Sequence, residues 1–385
     1  MKKKSLSDIT MVSEKHLHIL SFDVPYPPDY GGVIDVYYKM KAFADQGIHV
    51  HLHCYQYGRE AAKQLEEICD EVIYYKRKIY KDPFFSKDPY IVITRNSGEI
   101  LDNLRKDDYP IFFEGLHSCY YLNSEILHNR FKVVRMHNIE HVYYKNLAKI
   151  EKNLFKKYFF NTEANRLRKF EKHLKKANLT AAISPADHQY LNLKYQNSFY
   201  LPVFHSNTQV EVLPGKGDFV LYHGNLSVGE NNEAAIYLIR EIFNDLEIPL
   251  YIAGMNPSSE LIKAAAENPG VKLFSKLNNQ EIHNLIQKAQ INILHTQQNT
   301  GIKLKLVNVL FNGRFCIVNP KMVEATGLED LCIVAPTKQK MKAFVQEYFE
   351  KEFPHEEITK RKCVLESNFN NERNTKLIID KINFN

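Results

Sequence analysis

The sequence lacks the long apolar run that a membrane-spanning helix needs, since no stretch approaches about 18 consecutive apolar residues. Its six cysteines are scattered and include no CxxC pair, which favours reduced, buried thiols over disulfide bonds or a zinc site. Nucleic-acid binding by overall charge is excluded, because 385 residues carry a net charge of only +6. The Walker A, GxGxxG and HExxH motifs are absent as well.

The length and the N-terminal composition set two further expectations. A chain of 385 residues suggests two domains or three, each large enough to bury a core. The first 20 residues have a basic head, but polar residues interrupt them before an apolar stretch of signal-peptide length is reached. We therefore expect a cytoplasmic protein, with a peripheral place at the inner face of the membrane left open.

Short β-rich runs alternate with longer helical patterns along the whole chain. The strand candidates are 16–22, 48–55, 71–75, 110–114, 131–136, 179–184, 218–223, 249–254, 271–275, 291–295, 315–318 and 331–335. Such alternation predicts parallel sheets covered by helices on both faces, and two such series predict two Rossmann-like domains. The Pro- and Gly-containing segment 201–217 shows no clear period and marks the boundary. We place the domains at 1–205 and 216–365, with a helix in 366–385 returning to the first domain.

The segment 300–314 reads as a phosphate-binding turn that leads into a helix. An apolar strand at 291–296 and a polar turn at 297–300 precede Gly301, which lets backbone approach a ligand closely. A helix starting there directs unpaired N–H groups and a partial positive charge forward, and Lys303 adds a full charge. The alternative is an ordinary βα turn with a surface lysine.

A second turn of this kind lies near the start of the chain. The strand at 16–22 runs into a proline-rich loop, then Gly31 and Gly32, then the helical pattern 33–47. The paired glycines would allow an anion or sugar hydroxyls to come close to a helix N-terminus. The alternative is a tight turn whose glycines serve positive φ angles.

The segment 145–176 is strongly basic, with eleven Lys or Arg against three Glu on a helical pattern that includes apolar residues. One interpretation is a long solvated helix whose apolar stripe packs on its own domain. The other is a basic face that docks on anionic lipid or on a polyanionic acceptor.

Taken together, the ordered turns resemble those of GT-B glycosyltransferases, especially the family 4 type. The resemblance rests on PPDYGG near the start, then on 224–239, 251–258 and 301–314 in that order, and it covers almost the whole chain. It implies two Rossmann-like domains facing across a cleft, with C-terminal helices packing back on the first. It also implies transfer of a sugar from a nucleoside-diphosphate sugar to a glycan or lipid-linked acceptor, with retention at the anomeric carbon and no metal or other cofactor.

The resemblance also assigns site residues. The donor would contact Gly31, Gly32, Gly224, Asn225, Gly254, Lys276, Leu277, Thr300, Gly301, Ile302, Lys303 and Asn308. Lys303 would balance the diphosphate charge as a catalytic residue, and His117 would lie beside the transferred sugar. Family 4 enzymes commonly carry glutamates where this chain has Thr300 and Asn308, and the amide of Asn308 can still bond a ribose hydroxyl.

Other polar residues and other activities stay open at this point. His137, Asn138 and Glu140 end a strand and are expected near the cleft. The alternating histidines at 49, 51 and 53 are interpreted as structural residues of a buried strand. The alternatives to transfer are a sugar-nucleotide epimerase of the same architecture and a non-catalytic sugar-nucleotide-binding subunit.

Overall fold

Two parallel sheets organise the computed structural model, which describes residues 14–80, 83–151, 153–297, 304–324 and 326–384. The first sheet has seven strands in the order β3-β2-β1-β4-β5-β6-β7, and the second has six in the order β10-β9-β8-β11-β12-β13. Every strand pair in both sheets is parallel. The predicted fold class, two Rossmann-like α/β domains, is confirmed.

The strands follow the predicted runs closely. They are β1 Lys15–Ser21, β2 Ile48–Gln56, β3 Glu71–Lys76, β4 Ile111–Glu114, β5 Lys132–Met136, β6 Leu179–Ala182, β7 Ser198–Tyr200, β8 Val220–His223, β9 Leu250–Ala253, β10 Val271–Phe274, β11 Ile291–Leu294, β12 Phe315–Val318 and β13 Ile333–Val334. The central strands β4, β5, β8, β11 and β12 are buried at every position, because helices cover both faces of a parallel sheet.

Helices occupy most of the connections between the strands. They are α1 Gly31–Asp45, α2 Lys63–Glu66, α3 Tyr90–Ile93, α4 Gly98–Leu104, α5 Glu140–Ile150, α6 Leu154–Phe170, α7 Pro185–Tyr195, α8 Gly229–Tyr237, α9 Ser259–Ala266, α10 Asn279–Lys288, α11 Leu304–Asn312, α12 Pro320–Val323, α13 Lys338–Phe349, α14 His355–Asn368 and α15 Asn371–Ile379. Helix α8 continues as one π-helical turn, Leu238–Ile242. Among the described residues, no helix combines the length and the apolar character needed to cross a bilayer.

The basic segment differs from the single long helix considered above. Helix α5 ends at Ile150, Glu151 adopts an extended conformation, and α6 starts again at Leu154. The side chain of Asn153 accepts a hydrogen bond from Lys156 N and so caps the new helix. The segment is therefore a helical hairpin of α5 and α6, followed by a 3₁₀ turn at Glu171–Lys176.

The chain passes between the two sheets at two places. After β7, residues 201–205 stay with the first domain. His205 N donates to Asn371 Oδ1, and Asn371 Nδ2 donates to the carbonyl oxygen of His205. From Asn207 onward the linker bonds to the second domain, as when Asn312 donates to Asn207. The second passage lies between α14 and α15, and α15 packs against α1 of the first domain.

Helix α14 secures the end of α11. Arg361 is fully buried, and its guanidinium donates to the carbonyl oxygens of Leu310, Gly313 and Arg314. The last carbonyls of a helix have no partner inside the helix, so a buried helix end needs donors of this kind. The C-terminal helices thus fix the helix that carries the predicted phosphate turn.

Candidate functional site

In each sheet the strand order reverses direction at one pair of central strands, β1 with β4 and β8 with β11. In open α/β sheets, ligands bind outside the carboxyl ends of the strands at such a point. Residues from the two connecting segments meet at both places. Phe22 follows β1, and its ring lies 5.4 Å from that of His117, which follows β4. In the second domain, Gln297 N donates to Glu230 at 2.9 Å.

The first turns of α1 and α11 lie opposite each other. The position that a Cβ of Gly31 would occupy is only 3.8 Å from Leu304 Cδ1. Helix α1 begins at Gly31, and Tyr30 before it provides no side-chain cap for the first N–H groups. The start of α1 and the first described turn of α11, one from each domain, therefore lie close together, and a helix N-terminus carries partial positive charge.

The glycines predicted for donor binding share a role in close packing. Neither Gly31 nor Gly32 has a positive φ angle, so the positive-φ interpretation of the PPDYGG turn is wrong. A Cβ on Gly32 would lie 2.7 Å from Phe22 Cζ, and one on Gly254 would lie 1.9 Å from Gly224 O. A side chain at Gly254 would collide with backbone, and one at Gly32 would collide with the Phe22 ring, so both positions require glycine for close packing of the turns after β1, β8 and β9.

Lys305 is a cation of this region that the sequence analysis did not single out. Its Nζ donates to Asn231 Oδ1 at 3.0 Å and lies 5.3 Å from the centre of the Tyr222 ring. Burial lowers the pKa of His223 to about 3 and that of His295 to about 4, and the Lys305 charge contributes to both shifts. Both histidines follow or end the central strands β8 and β11, so Lys305 lies at their carboxyl ends. The sequence did offer one signal for Lys305, namely its position in the first turn of the helix that follows the predicted phosphate turn.

The predicted residues of the phosphate turn are only partly described. Thr300, Gly301, Ile302 and Lys303 lie outside the described residues. Asn308 is half-buried, and its Oδ1 accepts from the Asn312 amide, which also donates to the linker at Asn207.

The remaining donor predictions fall on nearby loops. Asn225 follows β8, and its carbonyl oxygen accepts from Asn231 Nδ2 at 3.0 Å. Lys276 is exposed and Leu277 half-buried, just after the edge strand β10. Gly224 lies at the end of β8, where a Cβ would meet Asn231 at 3.3 Å.

His117 lies at the carboxyl end of the first sheet, directly beyond the Gly115 turn. Gly115 has a φ of +68°, a value that favours glycine, and the turn places His117 against Phe22. The ring remains partly exposed, while its Nδ1 is buried without a hydrogen-bond partner. Burial, followed by the charge of Arg95, holds the pKa of His117 well below its ordinary value. The residue is therefore a neutral imidazole at physiological pH.

Behind His117 lies a fully buried group of charges, which we call the charge cluster: Asp35, Lys39, Glu114 and Arg135. Lys39 Nζ lies 2.9 Å from Asp35 Oδ2 and 2.8 Å from Glu114 Oε1. Arg135 donates to both oxygens of Asp35 at 3.0 and 2.9 Å. These cations, with the Asp35 hydrogen bonds, outweigh burial and hold the pKa of Asp35 well below its usual range. Two acids and two bases therefore balance inside the first domain.

His137 lies against the charge cluster and is mostly buried. Its Nε2 lies 3.1 Å from Glu114 Oε2, its Nδ1 lies 3.9 Å from Asp35 Oδ2, and its ring meets Phe22 edge-on. Asp35, Glu114 and His137 form the one group among the described residues whose spacing suits a metal ion. The ammonium of Lys39 already bridges the two carboxylates, so their negative charge is balanced by the chain itself.

Glu140 differs from the expectation that it would face the cleft. It is 2% exposed, and burial raises its pKa to about 8, with the charge of Asp187 contributing. A hydrogen bond with Asn138 acts in the opposite direction. Because α5 begins at this residue, its side chain is enclosed beneath the first turn of the helix.

The alternating histidines of β2 pair with those of β1 at the opposite end of the sheet. Ring nitrogens of His16 and His51 lie 3.0 Å apart, and those of His18 and His53 lie 2.9 Å apart. His18 also bonds to Asp107 at 2.9 Å. Each pair can share one proton, so the array works as a hydrogen-bonded ladder between two adjacent strands.

Comparison with solved structures identifies the architecture. HepE of Anabaena, in complex with UDP and glucose, superposes with a TM-score of 0.67 at 11% identity, over 95% of this chain and 99% of HepE. A glycosyltransferase from Rickettsia africae gives a TM-score of 0.65 at 11% identity, over 96% and 98%. TarM of S. aureus, in complex with UDP, fondaparinux and alpha-GlcNAc-glycerol, gives 0.65 at 10% identity, over 96% and 100%.

The chain adopts the GT-B fold. At such low identity these likenesses describe the fold, and they do not decide between family 4 and other GT-B families. No protein-family model matches the sequence. An uncharacterized 44.6 kDa protein in the cps region of Klebsiella pneumoniae is 25% identical over 328 residues, which covers 80% of this chain and 84% of that protein.

Proposed function

We propose that this protein is a glycosyltransferase that moves a sugar from a nucleoside-diphosphate sugar to an acceptor hydroxyl. The observation that supports it most is the approach of Gly31 to Leu304, because it brings the start of α1, which has no side-chain cap, beside the first described turn of α11 in the other domain. A diphosphate suits this space through its charge and its many acceptor oxygens. UDP-sugars are the first donors to test, since HepE and TarM were both solved with UDP.

In the proposed reaction, negative charge grows on the diphosphate as the sugar leaves. The N–H groups at the starts of α1 and α11 would stabilise that charge, with Lys303 and Lys305 as full positive charges. With these positive charges assigned to the diphosphate, we expect no metal requirement and transfer that persists in a chelator. We further propose family 4 chemistry, with retention at the anomeric carbon.

His117 would act on the other side of the transferred sugar. Its neutral imidazole follows β4 at the switch point of the first sheet, against Phe22. The unpartnered Nδ1 is buried, which leaves the partly exposed edge of the ring for the sugar or the acceptor hydroxyl. A hydroxyl of a glycan or of a lipid-linked saccharide, such as a cell-surface polysaccharide precursor, fits this role.

A donor panel with an acceptor screen tests the proposal. Purified protein is heated with UDP-, GDP-, ADP- and dTDP-sugars, and a true donor raises the melting temperature in proportion to the logarithm of its concentration. Acceptor-dependent release of nucleoside diphosphate from that donor then demonstrates transfer, and NMR of the product reports the anomeric outcome. Lys303→Ala should abolish release while leaving the melting temperature of the free protein unchanged.

The other outcomes distinguish the alternatives. Conversion of the nucleotide-sugar without any acceptor would favour the epimerase, and binding without any turnover would favour a non-catalytic subunit. Full transfer by Lys303→Ala at saturating donor would contradict the assigned role of the lysine. Absence of stabilisation by all four donors would contradict the donor site itself.

A further inference from the structure

The turn between α5 and α6 exposes a compact apolar surface, which we call the apolar tip: Ile150, Leu154, Phe155 and Tyr158. Leu154 is 82% exposed, Phe155 66% and Tyr158 64%. The last three lie on one side of the first turn of α6, since residues at i and i+4 are neighbours on a helix. Large apolar side chains clustered in this way differ from the single exposed ones found on any protein surface.

The tip is held in place by the loop that follows β3. The Phe84 ring lies 6.1 Å from that of Phe155 and 5.5 Å from that of Tyr158. Arg166 of α6 donates to the carbonyl oxygens of Pro83 and Phe84 at 2.8 and 3.2 Å. The loop presents Phe85, 54% exposed, beside the tip. The surface is thus built by two segments that hold each other.

The exposed charges of the hairpin and of the 3₁₀ turn after it are positive, and Lys145, Lys149, Lys156 and Lys157 are those nearest the tip. The described residues of 145–176 include nine exposed cations: Lys145, Lys149, Lys156, Lys157, Arg168, Lys169, Lys172, Lys175 and Lys176. The glutamates of the same stretch are directed inward. Glu163 pairs with Arg166, Glu171 accepts from Tyr190 and Tyr195, and Glu151 is half-buried.

We propose that the α5–α6 hairpin docks the protein on an anionic phospholipid bilayer, with the apolar tip in the headgroup boundary and the lysines against lipid phosphates. Apolar residues flanked by cations are the composition of interfacial helices. A protein partner fits less well, because lysine is depleted at protein–protein interfaces. The inference rests on the proposed function for its purpose, since it would bring a lipid-linked acceptor to the enzyme.

The hairpin is also connected to the candidate site. Helix α5 begins at Glu140, four residues after the end of β5, so its first turn lies at the carboxyl edge of the first sheet. The charge of Glu230, in the second domain, helps raise the pKa of Tyr143 on that turn, after burial and Glu140. One continuous hairpin therefore runs from the space between the domains to the apolar tip.

Co-sedimentation with lipid vesicles tests the apolar half of the proposal. The full chain should bind vesicles of phosphatidylglycerol and phosphatidylcholine, and bind pure phosphatidylcholine at least tenfold more weakly. The triple variant Leu154→Ser, Phe155→Ser, Tyr158→Ser should lose at least tenfold in partitioning. Leu193→Ser is the matched control, because Leu193 is an equally exposed leucine (78%) on α7 of the same domain. It should bind as the unmodified protein does.

Lysine-to-glutamine variants test the electrostatic half of the proposal. Lys156→Gln with Lys157→Gln should weaken binding to the anionic vesicles roughly 25-fold, at about fivefold for each lysine. Lys263→Gln with Lys362→Gln, two exposed lysines elsewhere, should leave binding unchanged. Raising the salt from 0.1 to 0.5 M should weaken binding of the unmodified protein in the same direction.

Three results would overturn the inference. They are equal binding to neutral and anionic vesicles, undiminished binding by the tip variant, and a dimer that the tip variant converts to a monomer without any vesicle binding. Vesicle binding is measured without donor, and donor binding by melting temperature without vesicles. Failure of the membrane inference and failure of the glycosyltransferase proposal are therefore seen separately.

Discussion

The two switch points, between β1 and β4 and between β8 and β11, are built from different types of residues. Behind the cleft edge of the first domain lies the charge cluster, where four ionised side chains are fully buried and paired. The corresponding place in the second domain is formed by glycine contacts, asparagines and Lys305. The first arrangement depends on mutual pairing of charges, while the second leaves a cation near open space. Under the proposed function, the first would serve as a rigid support and the second as the edge that binds the donor.

The largest expected effect comes from breaking the charge cluster. Asp35→Ala leaves Arg135 and Lys39 without a shared partner and should lower the free energy of unfolding by about 3–5 kcal/mol. Urea denaturation measures the change. Asp102→Ala, which removes an exposed ion pair with Arg105 in the same domain, should stay within about 0.5 kcal/mol. An Asp35→Ala loss as small as that of the control would contradict the role given to the cluster.

In the second domain, the comparable test removes a buried donor to backbone carbonyls. Arg361→Met leaves the end of α11 without its three bonds and should cost about 2–4 kcal/mol of unfolding free energy. Its matched control is Lys362→Met, the exposed neighbour on α14. If both variants unfold at the same urea concentration, the guanidinium does not support α11.

Lys305 sharpens the contrast, because its loss should affect binding more than stability. Lys305→Met should raise the dissociation constant of the donor 10- to 100-fold, equal to about 1.4–2.8 kcal/mol, while the melting temperature changes little. Isothermal titration of the nucleotide-sugar measures it. Lys288→Met, an exposed lysine of the same domain, serves as the control. Unchanged donor affinity would remove Lys305 from the site.

Acid should have the smallest and most gradual effect, through the histidine ladder of β1 and β2. Burial lowers the pKa of His18, against an opposing bond from Asp107, and burial followed by the His18 charge lowers that of His53. The folded protein therefore keeps both neutral and binds fewer protons than the unfolded chain. Stability is unaffected above the unfolded pKa near 6.5 and falls as the pH drops below it.

Circular dichroism during urea unfolding between pH 8.5 and 5.5 checks this dependence. The contribution of the ladder is the difference in unfolding free energy between the unmodified protein and a His18→Asn, His53→Asn variant, in which the effect of Glu140 cancels. This difference should be flat down to about pH 7 and then decline. A difference that rises toward pH 5.5 would show that the ladder gains protons on folding. Arg130 and Asp107 face His18, so they should be left unmodified in this experiment.

The sequence predicted the sheets well because their strands are apolar and end at clear breaks. All twelve predicted runs became strands, although the last shrank to Ile333–Val334. The missed strand, Ser198–Tyr200, has three half-buried residues at the edge of the first sheet and no apolar period to reveal it. The helical period predicted for 145–176 is present, but the helix is interrupted before the cap at Asn153. A single capping residue is too short a feature to change a periodicity measured over many residues.

The candidate site was harder to predict, because it depends on which strands become neighbours. Asp35 and Arg135 are 100 positions apart, and only the pairing of β4 with β5 beside β1 brings their elements together. The turn glycines could be recognised individually, whereas their close contacts with Phe22 and Gly224 could not. Nothing in the sequence distinguishes Lys305 from other lysines, and only the orientation of α11 shows that it lies over the Tyr222 ring.

The charge cluster also determines where the two domains can turn. Asp35 accepts from Phe204 N and Arg135 donates to Leu201 O, so the linker is clamped to the first domain as far as His205. Ser206 shares a hydrogen bond with Tyr38 of the first domain, and Asn207 accepts one from Asn312 of the second. With the junction between α14 and α15, the two domains are connected at two places. The buried charge pairs lie wholly on the first-domain side of both connections, so a change in the angle between the domains would not need to break them.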